Sequence, residues 1–427
     1  MWGATLLSAL ARQWGALCTF LSLALLARAL SREDFGRFTF YLSVFGFLDV
    51  LVDCGTSSAA VQLGARDARV FAGALAAGRR VRLVAALGAA LALALAAGIG
   101  HERDLAWVCL AALAPLSRAP EMSAVVFQRD IEWGTPLLLR GLGALARLTA
   151  IALLSRRAGL GFGPFLVVHT WSLALGNLAL HFVARPRLPP RAPPLAGLFA
   201  RAWPLAALGL VQQAYFWADN GFVRALAGEA ELGRYNAAVR VFQLLVFFAA
   251  FTTTSALPWL ARRSAEGALG DAVTRLAQPL FALGCALAGA LVPWCGVLLS
   301  RAFGAGFDGA AASLRWLLAA LVLVYPGAVF LTALIAAGAM RAALGVALLA
   351  LLVNLAGNAL CVPHFGAEGA AMMTLLTEGT VTFAALFALR ARGAWPGRAP
   401  LGWCLGPLAL VLTTLASLAL FAAAFPP

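Results

Sequence analysis

The chain contains no lysine: all 32 basic residues are arginines, set against 18 acids. Charged residues of both signs together make up only 12% of 427 residues, too few to solvate the surface of a water-soluble domain of that length. No CxxC pair occurs among the seven cysteines, Cys18, Cys54, Cys109, Cys285, Cys295, Cys361 and Cys404. They lie mostly in apolar runs and read as small packing residues rather than redox or metal groups. The four histidines, His101, His169, His181 and His364, have no metal-ligand spacing. Nothing resembles a nucleotide-binding P-loop, which speaks against ATP hydrolysis. No arginine-bearing segment precedes the first hydrophobic stretch, and that stretch exceeds a cleavable signal in length, so it is expected to persist as a first span.

What the chain has in excess is hydrocarbon: 62% of residues are hydrophobic and the mean hydropathy is +0.88. It is expected to be an all-α integral membrane protein, with length for about a dozen helices at roughly 20 apolar residues each. Apolar spans read at 4–27, 38–62, 83–100, 105–127, 135–155 and 162–184. The segment 185–201 then interrupts them with five prolines and four arginines and reads as a linker. Six more spans read at 202–223, 235–260, 276–299, 313–338, 342–361 and 369–389. Residues 401–424 are long enough to cross once more, giving thirteen spans, or twelve if that segment is peripheral. The implied organisation is an N-terminal six-helix bundle (1–184), a cytoplasmic linker (185–201), a C-terminal six-helix bundle (202–390) and a tail (391–427).

The two halves share a signature. Residues 28–38 read RALSREDFGRF and residues 224–235 read RALAGEAELGRY, each between long apolar segments. A tandem duplication of a multi-helix unit is the pattern of many membrane transporters, whose halves surround a central pathway.

Arginines separate between alternate connections. Seventeen, including Arg79, Arg80, Arg82, Arg185, Arg187, Arg262 and Arg263, fall on one side with five acids, against nine on the other with eight acids. The positive-inside rule makes the first side cytoplasmic and places the N-terminus there. The net charge of +14 is read as this topology signal plus attraction to anionic lipid headgroups, with no nucleic-acid partner.

The run LSREDFGRFTFYLSVFGFLDVLVDCGTSSAAV resembles the first loop and second helix of the polysaccharide flippases in the multidrug/oligosaccharidyl-lipid/polysaccharide exporter superfamily. Ser31 and Arg32 replace a glycine and proline of that pattern, and Asp53-Cys54-Gly55 stands for its second turn. The second half matches at Tyr215-Phe216-Trp217-Ala218-Asp219, at Asn354-Leu355-Ala356-Gly357-Asn358 and at Pro363-His364-Phe365-Gly366. The resemblance covers residues 1 to 390. It implies two six-helix bundles around a central cavity that opens alternately to either side of a bacterial cytoplasmic (inner) membrane. The implied cargo is an oligosaccharide on an undecaprenyl diphosphate carrier, moved to the outer leaflet for O-antigen, capsule or exopolysaccharide assembly, with a polymerase and assembly proteins as partners. No cofactor is implied; coupling to H+ or Na+ stays open.

Such cargo carries a diphosphate through a region of low dielectric, so the protein must supply hydrogen bonds and positive charge there. Six arginines lie inside the spans: Arg12, Arg118, Arg140, Arg147, Arg240 and Arg315. Arg140 and Arg147, two helical turns apart, share a face and read as a cation track, or else each pairs with an acid on a neighbouring helix. Arg12 is a further cavity candidate. Arg118 and Glu121, three apart, are expected to pair locally. Arg240 and Arg315 lie near span ends, where they either contact cargo or snorkel to the interface. Among the acids, Asp49 and Asp53 read as structural, Asp53 as a cap at its turn. Asp219 either binds a coupling cation or pairs with Arg224, and Glu378 is a coupling carboxylate or an arginine partner. Asn354 and Asn358, one turn apart, read as interhelical hydrogen-bond residues.

A multidrug antiporter of the same superfamily would favour an acidic, aromatic cavity, whereas six intramembrane arginines face five acids here. A lipid II flippase usually has fourteen spans. A membrane polymerase or ligase needs a long external catalytic loop, and no outer connection much exceeds a dozen residues. The reading is therefore a transporter, not an enzyme.

Overall fold

The computed structural model describes residues 2–64, 67–130, 132, 134–157, 159–190, 192–394 and 400–424. Among these there is no strand. The chain falls into two compact units, Met1–Trp217 and Ala218–Pro427.

The first unit contains α1 (Trp2–Ala29), α2 (Arg32–Asp53), α3 (Thr56–Gly64), α4 (Ala68–Ile99) and α5 (Leu105–Ala112). It continues with α6 (Arg118–Glu121), α7 (Val125–Arg129), α8 (Gly134–Leu154), α9 (Phe162–Ala184) and the first part of α10 (Leu198–Ala227). The second unit takes the rest of α10, then α11 (Glu229–Ala265), α12 (Leu269–Leu291), α13 (Cys295–Phe303), α14 (Ala311–Ala336), α15 (Met340–Arg390) and α16 (Pro400–Ala424). Every one of the expected spans falls on one of these helices or on a short run of them. Among the described residues, eight helical segments are long and apolar enough to cross a membrane by length and composition. Along α4 the side chains of Leu87, Leu91, Leu95 and Ile99 stand one turn apart and exposed, the bare hydrocarbon stripe that lipid covers.

Three expected spans of the first unit differ in build. The span at 38–62 breaks where Cys54 takes left-handed backbone (φ 47°, ψ 27°) and ends α2. The span at 105–127 is segmented by 3₁₀ turns at Ala114–Ser117 and Met122–Ala124, because Pro115 and Pro120 withhold backbone donors. The helix expected from 83 begins instead at Ala68, capped by Asp67, whose side chain accepts from the backbone N–H of Arg69 at 2.7 Å and Val70 at 3.3 Å. Arg79, Arg80 and Arg82 therefore lie on a helix and not in a connection.

Spans eleven and twelve form one 51-residue helix, α15, interrupted at Gly366 (φ 54°, ψ −134°). Only glycine takes that backbone without strain, so the residue sets the joint between two arms. The final helix packs along α12: Trp294 donates to Ser417 Oγ at 2.8 Å, and Ser417 donates to the Ala290 carbonyl at 2.6 Å.

The duplicated signature forms the same joint twice. In the first copy Ser31 separates α1 from α2 and accepts from the Asp34 N–H at 3.1 Å; in the second, Gly228 separates α10 from α11.

Candidate functional site

Charge in the first unit gathers where α2, α4 and α6 meet. Arg118 donates to Asp49 at 2.6 and 3.0 Å and to Glu121 at 2.7 Å. Glu121, itself buried, also accepts from Arg140 at 3.2 Å. Buried Arg82 pairs with Asp53 and donates to Thr56 Oγ1 at 3.0 Å and to the Arg118 carbonyl at 3.2 Å. Ser57 donates to Asp53 at 2.9 Å. The result is a zipper of three arginines and three acids in which each buried charge has an opposite, the condition that makes burial tolerable.

Arg147 stands outside this zipper. It points from the buried face of α8, with Ala144 and Ile151, and is 5% exposed. Its Nη2 donates to Thr19 Oγ1 of α1 at 2.6 Å and its Nε has no hydrogen-bond partner. No carboxylate pairs with it among the described residues. Arg140, on the same helix face two turns away, is mostly exposed along its side chain and tied to Glu121. The expected cation track is thus one shared, exposed arginine and one buried arginine with a neutral partner. Such a guanidinium retains donors for an incoming anion. Arg12 lies on α1, but its side chain is outside the described ones.

The second unit holds a cluster of opposite character. Asp219, 5% exposed, accepts from four neutral donors: Tyr235 Oη at 2.7 Å, Asn354 Nδ2 at 2.9 Å, Asn358 Nδ2 at 2.7 Å and Thr374 Oγ1 at 3.1 Å. No arginine pairs with it among the described residues, and Arg224 pairs with Glu229 at 2.9 Å, so the Arg224 alternative falls. Asn354 and Asn358 do act between helices, as expected. Their Oδ1 atoms, and that of neighbouring Asn236, are buried without hydrogen-bond partners. A carboxylate beside unengaged amide oxygens is an oxygen-rich setting suited to a hard cation. Glu378, one turn beyond Thr374 on α15, is half-buried and has neither hydrogen bond nor ion pair among the described residues.

The remaining expected residues fall elsewhere. Arg240 does not snorkel: it is buried on α11 and donates to Gln243 at 2.7 Å. Arg315 is exposed and lines a pocket of about 390 Å³ with Asp308 and Ser300. Asp53, expected to cap its turn, is the partner of Arg82. Sequence reasoning placed Arg82 in a connection and so missed it; the one available signal was Asp67, a capping residue fifteen positions upstream. Tyr235 and Thr374 were also missed, since a neutral hydroxyl carries no sequence signal of its own.

These two clusters sit on a known fold. The lipid II flippase MurJ in its inward closed conformation superimposes with a TM-score of 0.79 at 12% identity, covering 97% of this chain and 93% of that one. An inward-facing multidrug resistance MATE family transporter follows with a TM-score of 0.69 at 14% identity, covering 94% and 96%. A third, a transporter from Pyrococcus furiosus described by the reverse polarity of its binding pocket, reaches 0.60 at 12% identity and covers 94% and 96%. No curated protein matches the chain in sequence. The family profile of polysaccharide biosynthesis proteins matches residues 2–264, taking in both copies of the repeated joint together with Arg147 and Asp219. A profile spanning more than half the chain settles the assignment: the chain belongs to the polysaccharide biosynthesis protein family, and its fold is the one shared by MurJ and the MATE family transporters.

Proposed function

We propose that the protein is an alternating-access flippase that carries a polyprenyl-diphosphate-linked oligosaccharide from the inner to the outer leaflet of a bacterial cytoplasmic membrane. Its halves, residues 1–184 and 202–390, work as two bundles, with the N-terminus and the 185–201 linker inside. The cargo feeds a polysaccharide polymerase and its assembly proteins. No bond is made or broken. The protein's task is to replace the water that a diphosphate and its sugars leave behind, while the polyprenyl tail stays in lipid.

The observation that carries this reading is Arg147. A guanidinium buried in a membrane helix with only a hydroxyl for partner is costly and is retained where an anion comes to it. Arginine presents a planar fork of donors that matches phosphate oxygens. The membership of the family and the fold shared with a lipid II flippase support a lipid-linked cargo. The excess of buried arginine over unpaired acid in the first unit runs against an organic cation as cargo. The test is flipping of a fluorescent polyprenyl-diphosphate oligosaccharide in proteoliposomes. Arg147→Ala is expected to abolish it with the protein still inserted; wild-type flipping by that variant would sink the assignment.

The Asp219 cluster supports a cation-coupled cycle. Its carboxylate, the amide oxygens of Asn354 and Asn358 and the hydroxyl of Thr374 are the residues that would hold Na+, or Asp219 and Glu378 would exchange a proton.

A further inference from the structure

A pocket of about 870 Å³ lies in the first unit between α4, α9 and the chain that follows α9, at Leu188, Pro189, Pro190 and Ala192. One part of its wall is apolar, from Leu75, Leu188 and Pro189; the other is cationic, from Arg79, Arg80 and Arg185 with His181. No carboxylate lines it among the described residues.

The wall is built rather than incidental. The Leu195 N–H donates to the Gly73 carbonyl at 2.9 Å, and a Cβ at Gly73 would meet the Pro193 carbonyl oxygen at 2.9 Å, so the strap lies directly on α4. Arg187 pins it from the far side, pairing with Glu132 at 2.7 Å and stacking 4.9 Å over Phe127. Inside, Ser123 Oγ accepts from Arg79 at 2.8 Å and shares a hydrogen bond of 2.6 Å with His181 Nδ1, which orients both. Arg80 and Arg185 are exposed and have neither hydrogen bond nor ion pair among the described residues.

We propose that this pocket is a binding site for a phosphate group, carried by an acidic phospholipid headgroup or free in solution. Two arginine forks without acidic partners converge with Arg79 on one volume, the arrangement that recognises phosphate oxygens through charge-assisted bonds. The apolar wall suits the glycerol stem beneath a headgroup, and the arginine asymmetry of the sequence turns this end to the cytoplasm, where anionic lipids concentrate. The site is separate from Arg147 and does not rest on the cargo assigned above.

The test uses the full chain in neutral detergent, titrated separately with phosphatidylglycerol, phosphatidylcholine and inorganic phosphate. Retention by native mass spectrometry and the shift in Tm are both read. Loss of two charge-assisted contacts in R80Q/R185Q is expected to weaken phosphatidylglycerol retention at least about tenfold. The control R262Q/R263Q removes two arginines from the end of α11 and is expected to change nothing. R80K/R185K keeps the charge and should recover part of the loss. If inorganic phosphate alone raises Tm, and only with Arg80 and Arg185 present, the ligand is the free anion. An equal loss in both glutamine variants, or retention of every ligand independent of Arg80 and Arg185, overturns the site.

Discussion

The Arg147 guanidinium donates to Thr19 Oγ1 at 2.6 Å, joining α8 to α1 through a charged donor and a neutral acceptor. A buried ion pair at best repays its desolvation cost; a buried charge with only a hydroxyl for company repays less of it. Arg147→Met, which keeps most of the volume, is therefore expected to leave Tm unchanged or raise stability by about 1 kcal/mol while abolishing transport. Thermal unfolding in detergent alongside the flipping assay checks it. A loss of several kcal/mol on folding would make Arg147 a structural residue.

Arg82 behaves in the opposite way. It serves Asp53, Thr56, Ser57 and the Arg118 carbonyl at once, so Arg82→Met strands several acceptors. Because Asp53 retains some access to solvent, the expected cost is about 2 kcal/mol rather than the 3–5 of a fully buried pair. Asp53→Asn, which keeps a hydrogen-bonding side chain, should cost less. Chemical denaturation of the two variants ranks them, and equal stability to wild type in Arg82→Met would dismiss the zipper as a stabilising element.

The contrast between these arginines shows what a sequence reveals. The pair Arg118–Glu121 was legible because three residues of helix separate its members. The joint at Ser31 and its copy at Gly228 were legible because they repeat. Arg82 was not, since its acid lies 29 residues away across a turn and the hydrophobic run begins only after it. Asp219 was singled out, but its donors Asn354, Asn358 and Thr374 lie 135 to 155 residues on, and neutral amides give no charge pattern to follow. The break in α15 was legible as the gap between the spans at 342–361 and 369–389; its exact residue was not, because Pro363 marks the place while the φ of 54° belongs to Gly366 three residues later.

That break supplies a third prediction. Gly366→Ala forces a side chain into a backbone region that only glycine takes easily, at an expected cost of about 1–3 kcal/mol. The neighbouring Ala367→Gly change should cost no more than about 1 kcal/mol, because it removes a methyl from a helix. Thermal unfolding of both separates a conformational requirement from general sensitivity of the joint; a smaller effect at Gly366 than at Ala367 would refute it.

The arginine asymmetry makes a fourth. With seventeen arginines on the side that includes the 185–201 linker, that linker is expected in the cytoplasm. A single cysteine introduced at Pro190, with the seven native cysteines replaced, should resist an impermeant maleimide in intact cells and react after permeabilisation. Labelling of intact cells would invert the topology.

The two coupling candidates of the second unit, Asp219 and Glu378, make separable predictions, because one is engaged and the other is not. Asp219 is held by four donors, so Asp219→Asn turns an acceptor into a group with its own N–H bonds facing donors, at an expected cost of about 2 kcal/mol. Glu378 has no hydrogen bond or ion pair to lose among the described residues, so Glu378→Gln should stay within about 0.5 kcal/mol of wild type. Stability alone therefore reports on Asp219, and transport must report on Glu378. If Na+ binds the oxygens gathered around Asp219, replacing choline by Na+ should raise the Tm of the wild type, through a stabilisation of about 2.7 kcal/mol at a hundredfold excess over Kd. The same replacement should do nothing to Asp219→Asn. Proton coupling instead predicts no sodium effect and a flipping rate that follows an imposed pH gradient in the wild type and ignores it in Glu378→Gln. A wild type indifferent to Na+, together with both variants flipping at the wild-type rate and with its gradient response, would leave Asp219 as an interhelical hydrogen-bond acceptor and end the case for ion coupling through either acid.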